Sequence, residues 1–289
     1  MTTPTLKLLA IDTSTEVLSV AVARTQHGQT QLWQHTGPGA AKASTGLIAS
    51  VLDLMQQSGM ALRELDAICF GSGPGSFTGL RTACSVAQGL GFGAGVPLLG
   101  IHTLMAVAEE ARGLVAGAPA AGAAPESAAA QPAMLAGQVV LSLIDARMDE
   151  VYAAAYQWSG AQWQALSDSL LLRPQDLPVD RWADADVWVA GNALGPYASR
   201  LPQRWQQARH IEALPTARAM LRLAPQLLAQ GLAVPAEQAL PAYIRDKVAQ
   251  TTAEREALRA AQAASRPAQP AKGGAGTPPR PGPAAGAAP

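Results

Sequence analysis

The hydrophobic positions of this chain fall into short unbroken runs set among helical stripes. Leu8-Leu9-Ala10-Ile11 stops at Asp12, turns through Thr13-Ser14-Thr15-Glu16 and resumes over 17–23. Runs of this length bounded by turn residues predict strands buried on both faces. Residues 65–70 predict a third, ending in Gly71. Residues 44–58 carry Leu47, Ile48, Val51, Leu52, Leu54 and Met55, an apolar stripe wider than one packed face needs, with Gly59 as its stop. Residues 80–91 predict a helix of small residues, with Ala83, Ala87 and Gly91 at fourfold spacing. Thr103 is the predicted N-cap of a helix over 104–112.

The second half repeats this outline. An apolar run over 139–144 ends at Asp145, turns through Ala146-Arg147-Met148-Asp149-Glu150 and resumes over 151–156. Residues 67–71 are echoed by Asp186-Val187-Trp188-Val189-Ala190-Gly191-Asn192. Thr216 predicts the cap of a helix over 217–230, kinked at Pro225 and closed by Gly231. Strand, aspartate turn, strand and later a glycine-ended strand in each half predict a duplicated mixed α/β lobe. Trp182, Trp188, Trp205 and Tyr197 fit core or rim positions of the second lobe better than a base-stacking platform.

Two segments lack the side chains to join a core. Residues 113–138 are rich in Ala, Gly and Pro with Glu126 as their one charge, and 248–289 close the chain with a helical extension and a Pro/Ala/Gly-rich tail. Ordering costs about 1–2 kcal/mol per residue, which such segments cannot offset by burial. The expected organisation is a first lobe over 1–112, a flexible insertion over 113–138, a second lobe over 139–247 and a disordered extension over 248–289. The tail's positive charges allow a contact with RNA or none at all.

Charge narrows the function. The formal net charge is zero, with 15% charged and 48% hydrophobic residues. That leaves no basic footprint for nucleic acid, so a partner is expected to supply most phosphate contacts if RNA is involved. Cys69 and Cys84 fall in predicted buried elements and read as core thiols of a reducing compartment. The chain runs from its start into a strand without a signal peptide, and the uncharged stretch 86–104 is broken by glycines and Pro97. A cytoplasmic protein with no membrane contact is expected.

The densest local signal is Gly71-Ser72-Gly73-Pro74-Gly75-Ser76-Phe77-Thr78-Gly79-Leu80-Arg81. It joins a strand to a helix, with Thr78 as the expected N-cap and Gly79 opening the helix. Free N–H groups and the positive helix end there could cradle an anion, and the same glycines could equally serve a tight structural turn. The spacing fits neither a P-loop, nor G-x-G-x-x-G, nor the G-x-S-x-G elbow. Ser76 has no nearby histidine to activate it.

Taken in order, Ala10-Ile11-Asp12-Thr13-Ser14-Thr15, the loop 73–81, the run Ile144-Asp145-Ala146-Arg147-Met148-Asp149-Glu150-Val151-Tyr152, Gly191-Asn192 and Pro241-Ala242-Tyr243-Ile244-Arg245 closely resemble the bacterial TsaB (YeaZ) family. The resemblance covers about 5–247 apart from the insertion. It implies an actin/Hsp70/sugar-kinase-like (ASKHA) fold of two related lobes. It also implies a non-catalytic subunit for forming N6-threonylcarbamoyladenosine on tRNA. Such a subunit pairs with the transferase TsaD and with TsaE, forms a homodimer when alone, and meets tRNA only through the complex.

The histidines agree with a non-catalytic role. The transferase relative uses a His-x-x-x-His pair, whereas His27, His35, His102 and His210 are never four apart, and Ala40-Ala41-Lys42-Ala43-Ser44 has no histidine. No metal site and no catalytic residue are expected. Asp12 and Asp145 admit two readings, a carboxylate pair holding Mg²⁺ and ATP or ADP, or a cap of each residue's own turn. Gly73, Gly75, Ser76 and Thr78 are the accompanying nucleotide or anion candidates. Arg81 reads as a structural or partner-facing group, or as a phosphate clamp. The expected partner interface uses the two helices, through Leu47, Val51, Met55, Leu80, Ala83 and Ala87. The alternatives are an ATPase or kinase of the same fold and a metallopeptidase.

Overall fold

The computed structural model describes residues 5–39, 46–117, 134–182 and 185–244. The apolar runs form its central strands. β1 (Leu6–Asp12) pairs antiparallel with β2 (Val17–Gln26) and parallel with β4 (Ala67–Gly73). β3 (Gln29–Pro38) and β5 (Leu98–His102) complete a sheet of order β3-β2-β1-β4-β5. The helices of this half are α1 (Leu47–Ser58), α2 (Phe77–Ala94) and α3 (Thr103–Val115).

The second half rebuilds the same sheet. β6 (Val139–Arg147) pairs antiparallel with β7 (Glu150–Trp158) and parallel with β10 (Val187–Ala190). With β8 (Trp163–Ala165) and β11 (Arg209–Ile211) the order is β8-β7-β6-β10-β11, and β9 (Leu170–Leu172) adds to β7. Strand for strand this is the first sheet again, so the echo between the halves is a duplication. The short helices α4 (Leu194–Tyr197) and α5 (Gln203–Gln206) and the longer α6 (Ala217–Ala229, with Pro225 inside it) follow. Both sheets belong to one compact unit, Met1–Asp246; the remainder, Lys247–Pro289, lies outside the described residues. Two such lobes are the actin/Hsp70/sugar-kinase arrangement.

Alternation along each strand sorts the core into three parts. Leu9 and Ile11 face α1 and α2 with Val51, Leu54, Ala83 and Ala87. Leu8 and Ala10 face the opposite way, into a cluster built on α3 and α6 that also takes Val140 and Ile144 of β6. Leu141 and Leu143 face Leu194 and Trp205 of α4 and α5. α3 and α6 therefore share the central apolar cluster with both sheets. Trp188, Trp205 and Tyr197 are core residues, as are Cys69 and Cys84, both free thiols. Burial pushes the Cys69 thiol up to about 12.

A buried ion network ties α3 to α6. Glu110 pairs with Arg218 and with Arg222 at 3.2 Å, and accepts the Thr216 hydroxyl at 2.7 Å. Glu109 takes Arg222 at 2.6 Å, Arg112 at 2.8 Å and the Trp163 indole N–H at 2.9 Å. Burial alone would raise the Glu109 pKa; Arg112, Arg222 and Trp163 outweigh it and hold the carboxyl below its ordinary value. Carboxylates this deep are tolerated because every lone pair has a donor.

Several boundaries differ from the sequence expectation. α2 begins at Phe77 and its N-cap is Ser76, whose hydroxyl accepts Gly79 N–H at 3.4 Å. Thr78 is already helical, so its hydroxyl cannot reach a first-turn donor from outside. Thr103 is the first helical residue of α3 rather than its cap, and its hydroxyl donates to the Pro74 carbonyl. α3 also runs three residues past Arg112, and at Gly113 within that last turn the absence of a Cβ leaves room for the Arg222 side chain. Thr216 caps α6 as expected, accepting Ala219 N–H at 3.2 Å. Residues 40–45, which include the expected start of the first helix, most of the insertion (118–133) and the extension 248–289 lie outside the described residues.

Candidate functional site

Each lobe brings an aspartate to the same place in its sheet. Asp12 ends β1 and accepts Ser14 N–H at 3.1 Å; Asp145, near the end of β6, accepts Arg147 N–H at 2.8 Å. Both are bonds to the residue two positions on, so each aspartate caps its own turn. Asp145 also takes the Arg147 guanidinium at 3.1 Å and the Tyr197 hydroxyl at 3.1 Å. Asp12 Oδ1 accepts the Ser14 hydroxyl at 2.9 Å, while Oδ2 is buried without a partner. Oδ2 lies where a Cβ of Gly71 would be, so only glycine fits there. Burial pushes Asp12 up to about 7, although both Ser14 bonds pull the other way.

The glycine loop packs on the first of these turns. Ser76 N–H donates to Ser14 O at 2.7 Å and the Thr13 hydroxyl to Gly79 O at 2.6 Å. A side chain at Gly79 would strike the Thr13 carbonyl, and one at Gly75 would strike Ser14. Gly73 is buried against the Ala242 carbonyl, and Thr78 is exposed. What the glycines approach closely is therefore the chain's own backbone. The closing motif joins the loop: Ala242 N–H donates to Ser72 O at 2.7 Å, and Tyr243 stacks on Phe77 at 5.3 Å.

The lobes meet around Asn192, whose Oδ1 accepts Asp145 N–H at 3.0 Å and whose amide reaches Glu16 at 3.4 Å. Beside it opens a cavity of about 600 Å³ lined by Glu16, Ser19, Thr36, Glu110, Asn192 and Glu212 among others. Among the described residues no Lys, Arg or His lines it, nor do Asp12, Asp145 or the glycine loop. Glu110 is neutralised by Arg218 and Arg222, but Glu16 and Glu212 leave the wall negative, which disfavours a polyphosphate, and Asp12, sealed from solvent, offers Mg²⁺ no open oxygen. The residues present do not fit a nucleotide with its metal. Among the described residues no group of three or more His, Cys, Asp or Glu is placed to hold a metal ion, and no helix is long and apolar enough to cross a membrane.

The helical face is different in kind. Leu47, Val51, Met55, Leu80, Ala83 and Ala87, the residues expected at a partner interface, all point into the chain's own core. Their neighbours are left outside: Ile48 is 53% exposed, Leu52 52% and Phe92 80%. Gly89 and Gly93 on α2 are exposed, with open space where a Cβ would stand. Ile48 and Leu52 were legible as the excess width of the first apolar stripe. Phe92 had a signal of its own, an aromatic between glycines in a helix of small residues, and it was missed.

Known proteins share this architecture. The family model of TsaD, the tRNA N6-adenosine threonylcarbamoyltransferase, matches residues 38–253. The tRNA threonylcarbamoyladenosine biosynthesis protein TsaB of Escherichia coli K12 is 32% identical over 256 residues, covering 84% of this chain and 96% of that protein. TsaB of Haemophilus influenzae is 31% identical over 252 residues, covering 84% and 95%. The solved structure of YeaZ from Pseudomonas aeruginosa is 36% identical, covers 83% of this chain and all of that one, and superposes with a TM-score of 0.67. With a duplicated lobe, a glycine loop seated on its own aspartate turn, and kinship across nearly the full length of these relatives, this chain belongs to the TsaB (YeaZ) family.

Proposed function

We propose that this chain acts in tRNA N6-threonylcarbamoyladenosine formation as a docking subunit without an active site of its own, binding a TsaD-type transferase through α1 and α2 and stabilising its active arrangement. The observation that carries this reading is the pair Gly89 and Gly93. A glycine inside a helix costs about 1 kcal/mol relative to alanine, and among the described residues nothing comes within 4 Å of where a Cβ would stand at either position. Room for a close approach from outside is what these residues supply, and Ile48, Leu52 and Phe92 flank that room with apolar surface. The same face would serve a homodimer when the chain is alone, and TsaE would join the assembled pair. The names of the E. coli and H. influenzae relatives support the process, and the match to the TsaD family model supports pairing between paralogous folds.

The acidic cavity and the closed Asp12 weigh against an ATPase or kinase of the same fold. The test is association with purified TsaD-type transferase together with a tRNA-modification assay. Leu52→Asp and Phe92→Asp leave the fold intact and abolish both association and stimulation of modification. Unchanged association in both variants overturns the interface, and brisk ATP turnover by the isolated chain overturns the docking role.

A further inference from the structure

We propose that Arg81 is the polar anchor of this docking face, a preformed seat for a carboxylate carried by the protein partner that lies along α2. The inference rests on the docking reading and adds the partner's chemistry to it. Arg81 heads an exposed row at fourfold spacing, Arg81, Ser85, Gly89 and Gly93, on one side of α2. An element laid along the small residues runs into the arginine three turns on, ~18 Å from Gly93 along the helix axis.

The guanidinium is held before any partner arrives. Its Cζ lies 3.7 Å from the centre of the Phe77 ring and 5.8 Å from that of Tyr243, and Nε donates to the Tyr243 hydroxyl at 3.0 Å. Tyr243 is itself held by its stacking on Phe77 and by the Ala242–Ser72 backbone bond. With Nε engaged, the two Nη groups remain, and among the described residues no carboxylate pairs with them. A fixed fork of two N–H donors matches a carboxylate bidentately, and the ordering of a long side chain has already been met by the fold. The charge also stands near the N-terminus of α2, where the helix dipole opposes it, so an incoming anion is favoured twice.

Neighbouring chemistry selects the kind of anion. Arg81 is the sole Lys or Arg of α1 and α2 together, and its surroundings are aromatic and small residues. Binding an RNA backbone takes a row of cations. A lone arginine on an aromatic platform beside an apolar face is instead the composition of a protein–protein hot spot.

The experiment measures the affinity of purified TsaD-type transferase for wild type, Arg81→Ala, Arg81→Lys and Leu52→Asp at low and high salt, with melting curves to confirm that each variant is folded. Arg81→Ala is expected to weaken binding ten- to a hundredfold and to flatten its salt dependence, with Arg81→Lys recovering only part of the loss. If Leu52→Asp abolishes binding while Arg81→Ala binds as wild type, the docking face stands and the carboxylate seat falls. If neither variant changes affinity, the docking reading itself falls. If Arg81→Ala leaves protein affinity intact and weakens only the capture of tRNA by the complex, the anion is a phosphate and the proposal is overturned.

Discussion

Asp12 and Asp145 hold equivalent positions in the duplicated sheets and make the same bond, carboxylate to the N–H two residues on, yet they live in opposite media. Asp145 keeps an arginine and a tyrosine at its oxygens. Asp12 is sealed under the glycine loop with one oxygen unpartnered, and its pKa rises from 3.8 to about 7. Duplication preserved the turn, and the glycine loop, present in the first lobe only, changed its dielectric.

That difference makes stability depend on pH. The folded chain binds the Asp12 proton more tightly than the unfolded chain, so the associated stability is complete below about pH 4 and is lost as pH rises through about 7. A rise of three pKa units corresponds to roughly 4 kcal/mol. Asp12→Asn keeps the shape without the charge. Measured against this variant, which shares every other titrating group, wild type should lose unfolding free energy between pH 4.5 and 7.5, and denaturant titrations at pH 4.5, 6 and 7.5 read the divergence. Parallel curves would mean that Asp12 is solvated in the native state.

His102 carries the opposite slope. Its ring sits between the Tyr156 hydroxyl and the Ser169 hydroxyl, 2.9 Å from each, and burial lowers its pKa from 6.5 to about 4. A group depressed in the folded state supplies stability above its unfolded pKa and loses it as pH falls, here between about 6.5 and 4. His102→Gln retains a donor and an acceptor but cannot charge. In the Asp12→Asn background, where the competing slope is gone, His102→Gln should remove the remaining acid loss. An acid limb that survives the double substitution would assign it to other groups.

How legible these features were depends on how local their causes are. The strand–aspartate–strand units and the C-terminal stop at Gly59 follow from hydrophobic period and glycine conformation, and they stand where the pattern puts them. The caps of α2 and α3 moved by one or two residues, because Ser76 and Thr103 choose partners set by the loop's path. The residues expected at an interface are buried, and the exposed apolar residues of α1 stand one position along from them. Leu47 and Ile48 are equally apolar in sequence, and only the sheet beneath α1 decides which is core. The Glu109–Glu110–Arg218–Arg222 network was invisible, since it joins residues more than a hundred positions apart.

The same one-step offset yields a direct contrast. Val51 is fully buried between α1 and the first sheet, whereas Leu52 is half exposed. Val51→Asp places an unpaired charge in the core and should leave little folded protein, since such burial costs several kcal/mol. Leu52→Asp should shift stability by no more than about 0.5 kcal/mol while abolishing docking. Circular dichroism melts separate the two; comparable destabilisation would put Leu52 in the core as well.

Removing one member of the buried network should cost more than removing two. Glu110→Ala removes the carboxylate that Arg218 pairs with, and breaking a buried pair this way typically costs about 3–5 kcal/mol. Glu110→Leu combined with Arg218→Met replaces the pair by apolar side chains of similar volume and should recover most of that loss. Urea unfolding of the single and double variants decides it. A double variant as unstable as the single one would show that Arg222 and Thr216, which also bond Glu110, carry the network.

Gly89 and Gly93 set stability against function. Alanine at either site meets no atom within 4 Å and restores helix propensity worth about 1 kcal/mol per position. The isolated double variant should therefore melt several degrees higher than wild type. An approaching helix would now meet two methyl groups, so affinity for the transferase should fall although the subunit itself has become more stable. Calorimetry on the isolated chain and a binding titration on the pair measure the two effects separately. A variant both more stable and equally well bound would show that α2 carries its glycines for a reason other than contact.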